Sequence, residues 1–274
     1  EPKTMKLEAY ISYPYANPWG NAFMRDGTHL IGDVSSGMNY FAPPLTVAID
    51  YPFKHQEMKD FLTSKVRPKT CGMEIISSRH FPDSMQGDIL FNTFLGFQGV
   101  RQHNIYEKGS GIIATETEPL MRSSDARFRP VDLQFGPDGA LYVVDWYNPV
   151  INHGERALRD PKRDKTHGRI WRITCTSKKL LEPVDMTGLT IPDLLNCLKA
   201  YEDRTRYRAR IQLSMFEEAE VIKSVEHWKK QLDTRNQNYE YYKLEALWIH
   251  QQFNQPDTLL LTELLHSRDH HIRA

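Results

Sequence analysis

Phe135, the Asp138-Gly139 pair and Asp145 fall without a gap on Phe23, Asp26-Gly27 and Asp33 when one stretch is laid over the other. A third copy lies between them, from Phe81 through Gly87 to Asn92. The best-formed copy explains what repeats. Val131, Leu133 and Phe135 alternate with polar neighbours, the period of a half-buried strand. Gly136-Pro137-Asp138-Gly139 is turn chemistry, because proline fixes φ and glycine accepts φ > 0. Ala140 to Val144 is a short apolar, β-rich run, expected as a strand buried on both faces, and it stops on Asp145. Outer strands are expected at 99–106 and 167–174. Hairpins whose turn glycines recur roughly every 50 to 60 residues suit four-stranded propeller blades with long loops. The expected fold is therefore a partial all-β propeller of about three blades. Three blades cannot close a ring, so further blades are expected before Glu1.

The pattern changes after Thr174. A polar linker follows, and Thr190-Ile191-Pro192-Asp193 combines a cap, an acid three residues on and a first-turn proline, the signature of a helix start. Five apolar stripes follow: Leu194, Leu195 and Leu198; Tyr207, Ile211 and Met215; Val221, Val225, Trp228 and Leu232; Tyr241, Leu244, Leu247 and Trp248; Leu260, Leu261, Leu264 and Leu265. Part of the first pair recurs in the last, which predicts an all-α, HEAT-like helical solenoid, with an ordinary helical bundle as the alternative. The expected domains are 1–176 (propeller), 177–189 (linker) and 190–274 (helical repeats). A start at Glu1-Pro2-Lys3 and a stop at Ala274 within a helical pattern read as an internal piece of a longer chain.

Charge narrows the function classes. Lys plus Arg total 35 and Asp plus Glu total 35, so no net field draws the chain to nucleic acid or an anionic bilayer. With a mean hydropathy of −0.58, no apolar run approaches the ~18 residues of a spanning helix. Cys71, Cys175 and Cys197 form no CxxC, which excludes a zinc ribbon or covalent haem here and leaves buried, inert thiols as the expectation.

If the chain is a propeller, residues entering the innermost strands and leaving the second strands line one funnel. That selects Arg129 and Asp132 entering, and Asp145, Trp146, Tyr147 and Asn148 leaving. Their equivalents are Asn17, Trp19, Asn21, Asp33, Ser36 and Asn39 in the first copy, and Cys71 to Glu74 with Asn92 in the middle one. Carboxylates, amides, an arginine and aromatics converging on an axis are what a polar ligand or bound cation requires. The plainer reading is that Asp33 and Asp145 cap strand ends and Arg129 is a salt-bridge partner. The long insertion from Val150 to His167 carries charges that can pair among themselves, Arg159, Arg163 and Arg169 against Asp160 and Asp164. His153 and His167 are candidate bases within it, but no metal site is assigned. His80 is expected to bond backbone in a loop. Arg204, Arg206, Arg208 and Arg210 read as a solvated helix face rather than a nucleic-acid patch.

Ser77-Ser78-Arg79-His80-Phe81-Pro82, Phe97-Gln98-Gly99-Val100, Phe128-Arg129-Pro130-Val131-Asp132 with Gly136-Pro137-Asp138-Gly139-Ala140-Leu141-Tyr142, and Arg159-Asp160-Pro161 with His167-Gly168-Arg169-Ile170-Trp171-Arg172-Ile173 carry a resemblance. Over 13–209 the chain resembles the membrane-bound dehydrogenase family of planctomycetes and verrucomicrobia. There a propeller similar to glucose and sorbosone dehydrogenases precedes HEAT-like repeats and, commonly, a c-type haem domain. The resemblance implies a periplasmic or extracytoplasmic sugar or alcohol dehydrogenase that uses pyrroloquinoline quinone and calcium and passes electrons to a haem domain or cytochrome outside this chain. Its substrate would be a sugar or polysaccharide fragment. Arg129, Asp145, Trp146, Asn148 and Trp19 are the implied cofactor-binding residues, and Asp132, Glu74 and His153 the catalytic candidates. The second arginine of the quinone-binding pattern is Val131 here, one charge partner fewer for the quinone carboxylates. The competing function is a non-catalytic propeller that binds carbohydrate or protein, with the helices as a docking scaffold.

Overall fold

The computed structural model describes residues 5–7, 13–41, 59–64, 69–151 and 156–274. They divide into two compact units, the first comprising Glu1–Ile76, Phe81–Gln134 and Ala140–Thr176, the second Ser77–His80, Phe135–Gly139 and Ser177–Ala274. His153 lies outside the described residues.

The first unit is built of antiparallel sheets. β1 (Pro18–Phe23), β2 (His29–Asp33) and β3 (Asn39–Phe41) form one sheet in chain order. A second runs β4 (Thr70–Ile75), β5 (Ile89–Thr93), β6 (Gly99–Lys108) and β7 (Gly111–Glu116), with β8 (Met121–Arg122) also paired to β6. The third consists of β9 (Pro130–Phe135), β10 (Leu141–Asp145) and the edge strand β11 (Arg169–Ile173). The strands at 99–108 and 169–173 stand where outer strands were expected. The three turn glycines all have positive φ, +91° at Gly27, +85° at Gly87 and +79° at Gly139. β1 packs on β4, and Ala22, Leu30, Phe61, Leu62, Met73, Ile89 and Phe91 fill one core. Burial on β10 departs from expectation: Leu141, Val143 and Asp145 are buried while Val144 is exposed. The strand alternates, so it has one covered face rather than two.

In the second unit, Thr190 caps α1 (Ile191–Cys197) with a complete capping box to Asp193, as the sequence motif requires. α2 (Asp203–Leu213), α3 (Glu218–Lys230), α4 (Tyr239–Gln252), α5 (Thr258–Leu265) and α6 (His270–Arg273) complete six helices among the described residues. Each packs on its neighbour in sequence or next but one, as α1 on α2 and α3, and α4 on α5 and α6. Val221, Val225, Trp228 and Leu232 face the core as expected.

α2 does not follow its expected stripe. Tyr207, Ile211 and Met215 are exposed, and Arg206, Ala209 and Leu213 are buried instead. The reason lies in Arg206, which is not on a solvated face. Its Nη1 donates to the carbonyls of Ala200 (2.9 Å) and Tyr201 (2.6 Å), and its Nε lies 3.1 Å from Glu245 Oε1. Arg210 Nη1 holds the other oxygen of Glu245 at 2.6 Å. The buried charge of Arg206 is offset by these acceptors and by Asp203 Oδ1, which accepts from Nη2 at 3.0 Å.

The non-helical stretches of this unit bond to one another. Ser78 Oγ donates to Gly139 O (2.8 Å), Leu181 N to Asp138 O (2.9 Å) and His80 Nδ1 to Lys179 O (2.8 Å), the last fulfilling the expected backbone role. Among the described residues no helix is long and apolar enough to cross a membrane.

Candidate functional site

Arg129, Asp145 and Asn148 do come together, and they point at one another. Asp145 is buried at the end of β10. Its Oδ1 accepts from the backbone N–H of Arg129 and of Tyr147, both at 2.8 Å. Its Oδ2 accepts from Arg169 Nε (2.7 Å) and Trp171 Nε1 (3.1 Å). Arg129 spends Nε on Asn148 O (2.9 Å) and Nη1 on Phe94 O (2.6 Å). Burial lowers its pKa, with Asp145 and Asp125 acting in the opposite sense. Asn148 donates from Nδ2 to Asp164 O (2.9 Å) and accepts from Val150 N (3.0 Å).

A quinone bearing several carboxylates, with a hard cation, needs a free guanidinium fork and free carboxylate oxygens. Both oxygens of Asp145 are engaged within the fold, as are Nε and Nη1 of Arg129 and the side-chain amide of Asn148. Among the described residues Asp145 thus offers such a cofactor no unbonded oxygen. The plainer reading, Asp145 as a strand-end cap, describes the geometry.

Two residues that sequence reasoning did not assign to this group are Arg169 and Trp171. They stand two apart on β11, hence on one face of a strand paired to β10, with Asp145 opposite Arg169. That spacing was the available signal. Tyr147 follows in a left-handed backbone conformation (φ +51°), and Arg169 and Arg127 lie 3.8 and 4.6 Å from its ring centroid. A non-glycine residue held there costs energy, which two cation–π contacts and the amide bond to Asp145 offset.

The remaining candidates are less consumed. Gly72 in β4 faces β9 so closely that a Cβ on it would lie 2.8 Å from Asp132 Cα and 2.9 Å from Asp132 Oδ1. The missing side chain brings Asp132, an exposed residue whose Oδ1 accepts from Leu133 N (2.9 Å), against the strand that carries Glu74. Glu74 is buried and accepts from Ile75 N at 3.1 Å. Beside them Cys71 is buried and free. Burial, with Asp132 adding to it, pushes its thiol up to about 12. It donates to Pro130 O at 3.2 Å and is inert, as expected. Trp19 and Trp146 are 50% and 44% exposed. Asn17 contributes its backbone N–H, to Asp33 Oδ1 at 2.9 Å.

In the second unit Glu226, His250 and Asp257 lie within metal-ligand range of one another. The Lys229 ammonium sits 2.6 Å from Glu226 Oε1 and 2.5 Å from Asp257 Oδ2, supplying the positive charge such a group would otherwise take from an ion.

Residues 43–177 match the model of a family described as a domain of unknown function (DUF7133). No curated protein matches the chain. Among solved structures, an oxidoreductase (glucose dehydrogenase) from Thermus thermophilus is 15% identical over 57% of this chain and 44% of its own, with a TM-score of 0.39. The soluble aldose sugar dehydrogenase of Escherichia coli, in its apo form, is 19% identical over 47% of this chain and 41% of its own, with a TM-score of 0.34. The PQQ-bound aldose sugar dehydrogenase of Streptomyces coelicolor is 15% identical over 51% and 41%, with a TM-score of 0.31. This chain thus spans less than half the length of each of these sugar dehydrogenases to which it is similar.

Proposed function

We propose that the chain is part of a sugar- or alcohol-dehydrogenase-type propeller followed by HEAT-type helical repeats, and that it takes a saccharide where β9 meets β4. The observation that carries this is the approach of β9 to Gly72, which holds the exposed Asp132 against the strand bearing Glu74. Carboxylates accept hydrogen bonds from sugar hydroxyls, and a carboxylate bonding the hydroxyl to be oxidised also orients it and draws on its proton. The half-exposed Trp19 and Trp146 are rings on which a pyranose can stack. The motifs through Gly136-Pro137-Asp138-Gly139 favour the dehydrogenase assignment. An extracytoplasmic location and transfer of electrons to a haem domain or cytochrome belong to the same proposal.

A second reading is favoured by the committed side chains of Arg129 and Asp145: a propeller that binds saccharide without oxidising it. Calorimetric titration of the complete protein with neutral sugars, alongside dye reduction with added quinone and calcium, separates the two. Quinone-dependent dye reduction that falls in Asp132→Asn supports the dehydrogenase. Sugar binding with no turnover supports the binding module. Absence of any sugar binding overturns the site at Asp132.

A further inference from the structure

Among the described residues between β10 and β11, charged side chains bond largely to backbone. Arg163 staples this segment, donating from Nε to Ala157 O (3.1 Å), from Nη2 to Arg156 O (3.2 Å) and from Nη1 to Val150 O (3.3 Å). The two acids also turn inward. Asp160 accepts from Lys162 N (2.9 Å), and Asp164 accepts from Thr166 N and His167 N (both 3.0 Å) and from His167 Nδ1 (2.8 Å). Asn148 Nδ2 on Asp164 O ties the whole to the end of β10. The expected pairing of Arg163 with these acids is replaced by backbone bonds, and Arg169 pairs with Asp145 and Asp125 instead.

What remains is a surplus of positive charge around a cavity of about 520 Å³, with Arg127, Lys162 and Lys165 at its wall. Lys162 and Lys165 have no carboxylate partner among the described residues, and Arg127 lies over the Tyr147 ring with its Nε 3.3 Å from Asp125. Asp160 and Asp164 share that wall and keep their charge, but Asp160 Oδ1 and both oxygens of Asp164 accept from N–H groups of the loop itself, and the cations Arg127, Lys162, Arg163 and Lys165 outnumber the two acids. A wall with more cations than acids, whose two lysines have no carboxylate partner among the described residues, presents anion-binding chemistry. The volume falls in the ~300–1,000 Å³ range of small-molecule sites and exceeds what one inorganic anion fills.

We infer that this cavity binds the anionic group of an acidic saccharide, a carboxylate or sulfate carried on a sugar, at a place separate in sequence from Asp132 and Glu74. Lys162 and Lys165 supply the charge and Arg127 closes the wall. The saccharide part rests on the sugar-binding reading above, whereas the preference for an anion does not.

The complete protein is titrated with digalacturonic acid, with uncharged digalactose and with sodium sulfate, as wild type, as the Lys162→Ala/Lys165→Ala double variant and as the Lys162→Arg/Lys165→Arg control, all with matched melting temperatures. The acidic disaccharide is expected to bind wild type about tenfold more tightly than the neutral one, an advantage lost in the alanine variant, kept in the arginine control and screened out at about 0.5 M salt. Equal affinity for acidic and neutral sugars would overturn the inference while leaving the sugar reading standing. Lysine-dependent binding of the acidic sugar with none of the neutral one would support it while counting against the site at Asp132. Sulfate binding without digalacturonate binding would overturn the cavity as a saccharide site.

Discussion

Asp33 and Asp145 hold the same pair of backbone amides in two different sheets. Asp33 Oδ1 accepts from Asn17 N and Ser35 N, and Asp145 Oδ1 from Arg129 N and Tyr147 N, each pair at the same offset in the gapless repeat. The backbone closes identically as well, Val34 N on Asn17 O and Trp146 N on Arg129 O, both at 2.9 Å. A carboxylate at the end of a second strand thus fastens the entry to the first. The middle copy carries Asn92 at this place, and its buried side-chain amide has no hydrogen-bond partner among the described residues.

Acid should therefore loosen the first sheet. Burial pulls the Asp33 pKa upward, but bonds from Ser36, Ala16, Ser35 and Asn17 outweigh it and leave the carboxyl below its ordinary value. A depressed folded pKa means that the stabilisation is complete above the ordinary carboxylate range and is lost as pH falls through the folded value. Urea midpoints of wild type should drop between neutral pH and pH ~3, and Asp33→Asn should cost about 1–3 kcal/mol at pH 7 with a shallower acid dependence. An unchanged acid slope in the variant would remove Asp33 from this role.

Gly139 and Gly87 should respond differently to the same substitution. Both have positive φ, but a Cβ on Gly139 would also sit 2.8 Å from Leu181 and from Ser78 Oγ, while one on Gly87 meets nothing within 4 Å. Gly87→Ala is expected to cost about 1 kcal/mol, from backbone conformation alone, and Gly139→Ala roughly 2 kcal/mol or more. Thermal unfolding of the two variants, each against wild type, gives the comparison.

Removing one partner of the Arg206–Glu245 pair should be worse than removing both. Arg206→Ala leaves Glu245 buried, retaining only Arg210, and should cost about 3–5 kcal/mol, whereas Arg206→Met with Glu245→Leu should cost clearly less. A double-mutant cycle by chemical denaturation measures the difference.

Trp228 is 3% exposed, with its Nε1 donating to Asn196 Oδ1 at 3.3 Å. Trp228→Ala should cost about 3–5 kcal/mol, and its loss should remove a blue-shifted component from the native emission spectrum. A red-shifted difference spectrum would contradict the burial.

The legible parts of the sequence were those in which one residue type suffices. Turn glycines at 27, 87 and 139, the Thr190 cap and the stripe from Val221 to Leu232 each have a local cause, and each formed. The stripe through Tyr207, Ile211 and Met215 misled because apolar periodicity ignores what a charged side chain can find. Arg206 turns inward since two carbonyls and Glu245 await it, and none of these is adjacent in sequence. The surroundings of Asp145 and Arg129 were illegible for a related reason. Residue identity places them near one another but does not reveal that their partners are backbone amides and carbonyls, which every residue carries.

The second unit is assembled from three lengths of chain, two of them short and far upstream of the helices. The bonds Ser78 Oγ to Gly139 O and Leu181 N to Asp138 O belong to it. During synthesis its first pieces leave the ribosome long before its last, so it cannot finish from its own C-terminal sequence. The same arrangement restricts recombination. A crossover at Thr176 that exchanged the helices would have to import partners suited to Ser78, Asp138 and Gly139, because it would swap only part of the second unit.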